Sequence, residues 1–119
     1  MINNFLKEIT IGYDGLIRKI EFLSFDSAFV VISVMKKTNG EWVNVKFHLK
    51  GLKEFSVKQK PNHSNVVLSG GISHMIINNI HFIDFSPYSD SMENENDFRM
   101  SDVYFASELI ECEVLPYSE

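Results

Sequence analysis

The chain has 119 residues, 45% hydrophobic and 23% charged, an ordinary composition for a single globular domain spanning residues 1–119. No apolar stretch approaches the roughly 18 residues of a membrane span, and the N-terminus lacks the basic and apolar regions of a signal peptide. With one cysteine, the chain cannot form an internal disulfide. We therefore expect a cytoplasmic protein with no membrane partner.

Charge is distributed unevenly along the chain. Residues 1–60 carry ten basic and six acidic side chains, a net of +4, whereas residues 61–119 carry ten acidic side chains and Arg99, a net of −9. The formal net charge of the whole chain is −5. An acidic half repels nucleic acid and suits a cationic partner. We accordingly expect no nucleic-acid partner.

Strand patterns dominate the first half of the chain. The first predicted strand covers residues 16–25, with Ile20 and Phe22 turned inward. A hairpin then joins residues 28–36 to residues 41–50 through an Asn-Gly pair, which accepts the positive φ of tight turns. Both hairpin strands alternate with period two, so each has one buried and one wet face. The predicted buried side chains are Ala28, Val30, Ile32, Val34, Val43, Val45, Phe47 and Leu49, with Asn44, Lys46 and His48 on the other side.

Shorter strands are predicted beyond the hairpin. Gly51 is predicted to end its second strand, and the following strands are placed at residues 55–57, 72–77, 80–85, 103–105 and 109–115. The last two form a predicted closing hairpin around Ala106-Ser107. Many short strands favour a mainly β fold, either an antiparallel β-sandwich or a strongly curved antiparallel sheet. At most one or two short helices are expected, near the N-terminus or within residues 91–99.

Residues 86–101 form the longest non-periodic stretch, and loops of this length in compact domains are often functional or disordered. Carboxylates, aromatic groups and Met92 concentrate around it. In such a surface, charge steers a basic protein into contact and apolar groups anchor it. The alternative is a solvated loop whose charges serve only solubility. The predicted partner-binding residues are Asp84, Tyr88, Asp90, Glu93, Glu95, Asp97, Phe98 and Asp102.

Catalytic and metal-binding motifs are missing from the sequence. None of the four histidines pairs with another at a metal-ligand spacing, so we predict no metal and no cofactor. There is no nucleophile elbow and no phosphate-binding loop. On an alternating strand Cys112 points inward with Ile110 and Val114, where a thiol behaves as a small hydrophobe. We therefore predict no catalytic residues and expect a binding protein rather than an enzyme.

Several segments of the chain resemble a known family of inhibitors. The segments Asp84–Asp90, Phe98–Tyr104 and Glu111–Tyr117, together with Tyr13-Asp14-Gly15, resemble small bacterial immunity proteins of contact-dependent growth-inhibition and polymorphic toxin systems. The similarity spans most of the chain. It implies a cytoplasmic antitoxin that binds the C-terminal toxin domain of a cognate effector, often a nuclease, and covers its basic active-site surface. The resemblance assigns no individual contact residue.

Other functions stay open. A small-ligand or carbohydrate-binding β-sandwich would use Trp42, Tyr88 or Tyr104 as stacking platforms. An enzyme without a known motif would need a deep polar pocket that holds two or more histidines. If the protein does bind a toxin, the lysine-bearing stretch 46–60 is the alternative contact face to the acidic loop.

Overall fold

A computed structural model describes residues 2–58, 66–89 and 91–119. The helices and strands in chain order are α1 (Ile2–Glu8), a short 3₁₀ helix (Thr10–Gly12), β1 (Leu16–Ser24), β2 (Ser27–Met35), β3 (Trp42–Val57), β4 (Ser73–Ile77), β5 (Ile80–Asp84), α2 (Glu95–Arg99) and β6 (Val103–Pro116). The strands make up 54% of the described residues and form one antiparallel sheet in the order β1-β2-β3-β6-β5-β4. The fold is mainly β, as predicted, and its architecture is the single sheet rather than the two-sheet sandwich.

The sheet is strongly curved. The rings of Phe22 on β1 and Phe55 on β3 have centroids 4.6 Å apart, although β2 lies between these strands. In a flat sheet, two strands with a third strand between them would lie about 10 Å apart. The bend follows Gly51, whose φ is +66°, and a register shift between Leu52 and Glu54. Bulges of this kind bend a strand and increase its twist.

The predicted hairpin is confirmed and supplies the main core. β2 pairs with β3 from Ser27↔Lys50 to Met35↔Trp42, and all eight side chains predicted to face inward are buried. Helix α1 covers this face, with the Phe5 ring edge-on to Phe47 at 6.5 Å. None of the helices in the described part of the chain is long and apolar enough to cross a membrane.

Three details of the strand prediction are wrong. Gly51 does not end the second hairpin strand, because β3 continues to Val57. There is no hairpin at Ala106-Ser107, because β6 is one strand that pairs with β3 from end to end. Phe22 is not turned into the core but is 42% exposed. In the first two cases the pairing of β3 with β6, which local patterns do not reveal, determines the conformation.

A second, smaller core lies on the opposite face of β5 and β6. Its buried residues are Phe82, Phe98, Tyr104 and Ala106. Phe98 belongs to α2, and its ring lies 5.4 Å from that of Phe82. The two short helices therefore lie near the N-terminus and within residues 91–99, as predicted, and α2 holds the described part of residues 84–102 against the sheet. We call these residues the acidic segment.

Candidate functional site

Asp84 joins the two ends of the acidic segment. It is fully buried at the end of β5, where the Ser86 backbone N–H donates to its Oδ1 at 2.8 Å and the Ser101 hydroxyl donates to its Oδ2. The Val103 backbone N–H donates in turn to Ser86 Oγ at 2.9 Å. Burial raises the pKa of Asp84 to about 6, against the opposing effect of these hydrogen bonds. Asp84 is therefore a structural carboxylate.

Asp97 organises the exposed part of the acidic segment. Its Oδ2 accepts the backbone N–H groups of Glu93 at 2.8 Å and Asn94 at 3.2 Å, while Asn94 Oδ1 accepts the Asp97 N–H at 3.2 Å. This reciprocal capping box begins α2. The Tyr88 hydroxyl donates to Asp97 Oδ1 at 2.8 Å. These bonds lower the pKa of Asp97, the Glu93 N–H having the largest effect.

Arg99 lies between carboxylates from two elements. Its guanidinium donates to Glu54 on β3 through Nε at 2.8 Å and through Nη2 at 3.1 Å. The same Nη2 forms an ion pair with Glu95 at 3.2 Å. The Tyr104 hydroxyl also donates to Glu54, at 2.9 Å. The hydrogen bond from Arg99 is the main reason why the pKa of Glu54 is lowered. Sequence reasoning missed Glu54, because only β3–β6 pairing brings it to this surface.

The predicted contact residues divide into buried and accessible groups. Asp84 and Phe98 are fully buried and offer no atoms to a partner, so they support the surface instead of forming it. Asp90 lies outside the described residues. Tyr88 and Glu93 are exposed, and Glu95, Asp97 and Asp102 are partly exposed. The structure thus brings the accessible residues around one short helix, with the 69% exposed Met100 as an apolar neighbour that the sequence did not single out.

Two histidines form a pair that sequence spacing did not reveal. His74 Nε2 and His81 Nδ1 lie 2.9 Å apart across the β4–β5 hairpin, and His74 Nδ1 lies 2.9 Å from Asn3 Oδ1 of α1. Burial, with a contribution from His81, lowers the pKa of His74 to about 4. The pair is therefore neutral at neutral pH. Within the described ranges, no group of three or more His, Cys, Asp or Glu side chains could hold a metal ion.

Cys112 lies on the face of β6 that was predicted. It is partly buried, it lies opposite Phe47 on β3, and with Ile110 it packs against the main core. Val114, which shares this parity, is instead 48% exposed. Burial raises the pKa of Cys112 to about 11, so its sulfur is a thiol rather than a thiolate at neutral pH.

Each of the three aromatic residues considered as a stacking platform contacts another side chain of the protein. Tyr104 is buried and donates to Glu54, Tyr88 donates to Asp97, and Trp42 packs against Tyr117 with ring centroids 6.3 Å apart. A different set of apolar side chains lines an open hollow of about 390 Å³ near the β1–β2 turn. Its lining residues include Phe22, Leu23, Phe25 and Phe55.

The chain was compared with protein-family models, with curated proteins and with solved structures. No protein-family model, curated protein or solved structure matches the chain significantly.

Proposed function

We propose that the protein is an immunity protein that binds a cognate toxin domain, a nuclease, and neutralises it by covering its basic active-site surface. The observation that carries the proposal is how the acidic segment is held. Its outer side presents carboxylates, while Phe98 and Asp84 tie its inner side to the sheet. A surface that is ordered before binding loses less conformational entropy on association.

The charges of the surface support a basic partner. Glu93 is exposed, and within the described residues its one hydrogen bond runs from its backbone N–H to Asp97. Arg99 neutralises part of the charge on Glu95 and Glu54, so Glu93 is the carboxylate best placed to steer a cation. Exposed charges are screened beyond about 8 Å at physiological ionic strength, so tight binding also needs apolar contact. Tyr88 and Met100, which are 54% and 69% exposed, supply that contact.

The test uses the C-terminal domain of the protein encoded immediately upstream as the candidate toxin. The variant Glu93→Lys with Glu95→Lys spares Asp97, whose capping bonds make it a poor site for charge reversal. We expect its association rate with the toxin domain to fall by about tenfold or more at low salt, since electrostatic steering changes on-rates over this range. The difference should shrink at high salt.

Glu111→Lys with Glu113→Lys is the matched control. It makes the same change in charge at exposed carboxylates on β6, which pair with Lys50 and His48. We expect association at the wild-type rate. If the control slows association and the first variant does not, the contact face is the lysine-bearing stretch 46–60. Failure of the wild-type protein to bind or inhibit the upstream domain would contradict the proposed function.

A small-ligand binding module is the second candidate, and the apolar hollow at Phe22, Leu23, Phe25 and Phe55 favours it. Its volume of about 390 Å³ falls within the range of small-molecule sites, roughly 300–1,000 Å³. Fluorescence of an apolar dye such as anilinonaphthalene sulfonate tests this candidate. Saturable binding that Phe55→Glu abolishes would support it, and no binding to the wild-type protein would exclude such a ligand.

A further inference from the structure

Arg18 occupies an irregularity in β1 that redirects its side chain. In the β1–β2 register, Ile17 lies opposite Ile32 and Lys19 lies opposite Val31, so Arg18 is an extra residue without a partner of its own in that register. Bulges of this kind recur near binding sites, because they turn one side chain away from its regular direction. Here the Arg18 Nε donates to Ser33 Oγ on β2 at 2.8 Å.

A buried polar pair holds the guanidinium in place. Ser33 and Asn44 face each other across β2 and β3, and the Ser33 hydroxyl donates to Asn44 Oδ1 at 2.7 Å. Asn44 lies on the side of the sheet where it was predicted but is buried there, and its Nδ2 donates to the carbonyl and hydroxyl oxygens of Ser118, both at 3.1 Å. Since the single Ser33 proton is donated to Asn44, the Ser33 oxygen is left to accept from Arg18.

The remaining partner of Arg18 is also uncharged. The Arg18 Nη2 donates to the Tyr117 hydroxyl at 3.1 Å, and the Arg18 Cζ lies 5.8 Å from the centroid of the Tyr117 ring. Arg18 forms no ion pair with any carboxylate of the described residues. Among the described residues, two of its five N–H groups are used, which leaves three donors for a ligand.

These free donors lie beside an open hollow of about 410 Å³ between β1 and the chain end. Arg18, Lys19, Asn44, Ser118 and Glu119 contribute to its lining. Lys19 is already paired with Glu21 at 3.1 Å, so Arg18 is the principal free cation among the described lining residues. We propose that this hollow binds a small oxyanion, a carboxylate or a phosphate, through the planar fork of Arg18. The inference is independent of the toxin-binding proposal and concerns a different surface.

The guanidinium is suited to this ligand because it is fixed before binding. Arginine presents parallel N–H groups that match the two oxygens of a carboxylate or phosphate, a geometry that lysine lacks. Ser33 and Tyr117 orient the group without neutralising it, so the ligand replaces water rather than an internal counter-ion. Glu119 contributes to the lining of the same hollow, and its negative charge opposes an incoming anion.

Trp42 offers a direct readout. It is the only tryptophan of the chain, and its ring packs against Tyr117, which contacts Arg18. Tryptophan fluorescence is followed while succinate is added in one arm and inorganic phosphate in the other, at constant ionic strength set with sodium chloride. We expect a saturable change in at least one arm, and the arm that saturates identifies the oxyanion. Absence of saturation in both arms overturns the proposal.

Three variants test whether the paired N–H groups of Arg18, rather than its charge alone, bind the oxyanion. Arg18→Lys keeps the charge and should weaken binding by about tenfold, because it removes the paired donors. Glu119→Gln should strengthen binding by removing a competing carboxylate. Arg99→Lys is the matched control at the other arginine of the chain, and it should bind as the wild-type protein does. Equal affinity of Arg18→Lys and wild-type protein, or loss of binding in Arg99→Lys but not in Arg18→Lys, would overturn the assignment to Arg18.

Discussion

The two arginines of the chain lie in opposite surroundings. Arg99 is held by the carboxylates of Glu54 and Glu95, whereas Arg18 is held by the hydroxyls of Ser33 and Tyr117. The first is an internal counter-ion within an acidic surface. The second keeps its charge available beside a hollow. The regional charge, net positive in residues 1–60 and net negative beyond, therefore does not determine the role of an individual arginine.

The two regions also differ in how they are anchored. The acidic segment depends on the fully buried Phe98 and Asp84. The chain end that covers the Arg18 hollow is held by Tyr117, an exposed side chain, and by hydrogen bonds from Asn44 to Ser118. Perturbing the acidic segment should therefore change global stability, whereas perturbing the chain end should act mainly on local structure.

Phe98→Ala tests this difference with the largest expected effect. Removing a fully buried phenylalanine leaves a cavity in the second core, and such changes cost about 3–5 kcal/mol of unfolding free energy. Tyr117→Ala, the comparison variant at the chain end, should cost about 1 kcal/mol or less, because its side chain is 42% exposed and lies outside both cores. Urea unfolding of both variants gives the two values. Equal losses would show that the chain end is as much a part of the folded core as α2.

The pH dependence of stability tests the buried carboxylate. Because burial raises the pKa of Asp84 to about 6, the folded state retains a proton between roughly pH 4 and 6 that the unfolded chain releases. The contribution of Asp84 to the free energy of unfolding is fully present below pH 4 and is lost as pH rises through 6. The raised pKa of Asp84 corresponds to a change of about 2–3 kcal/mol in the free energy of unfolding. The lowered pKa values of His74 and His81 act in the opposite sense, because the stability that these two groups contribute is lost as pH falls.

Asp84→Asn isolates the carboxylate from the histidines. The amide oxygen can accept from the Ser86 N–H while its nitrogen donates to Ser101, so the local bonds persist without a charge. Relative to wild type, the variant should therefore gain about 2–3 kcal/mol between pH 4 and about pH 8, measured by urea unfolding at each pH. A difference between the two proteins that stays constant across this range would show that Asp84 has an ordinary pKa.

Asn94→Ala should give the smallest effect. It removes the side-chain half of the capping box but leaves the Asp97 carboxylate bonds to the Glu93 and Asn94 N–H groups. Loss of such a cap costs about 1 kcal/mol. Hydrogen exchange of the α2 amides should rise while that of β3 is unchanged. Unaltered exchange in α2 would mean that Phe98 alone determines this helix.

How much of the candidate site could be predicted differs from residue to residue. The density of carboxylates and the absence of periodicity located the acidic segment, because both are properties of adjacent residues. The roles within it could not be predicted. Burial separates Asp84 and Phe98 from the accessible residues, and Arg99 meets Glu54 from a strand 45 residues away. The Ser33–Asn44 pair had no sequence signal, since a buried serine and a solvated one look alike in a strand.

The sequence by itself determined the β class and the inward face of the β2–β3 hairpin, because strand alternation and an Asn-Gly turn are encoded by neighbouring residues. Tertiary structure alone decided the length of β3 beyond Gly51, the continuity of β6 and the pairing of His74 with His81. Those features depend on which distant backbone or side-chain group satisfies a given donor. Such partners become neighbours only when the curved sheet forms.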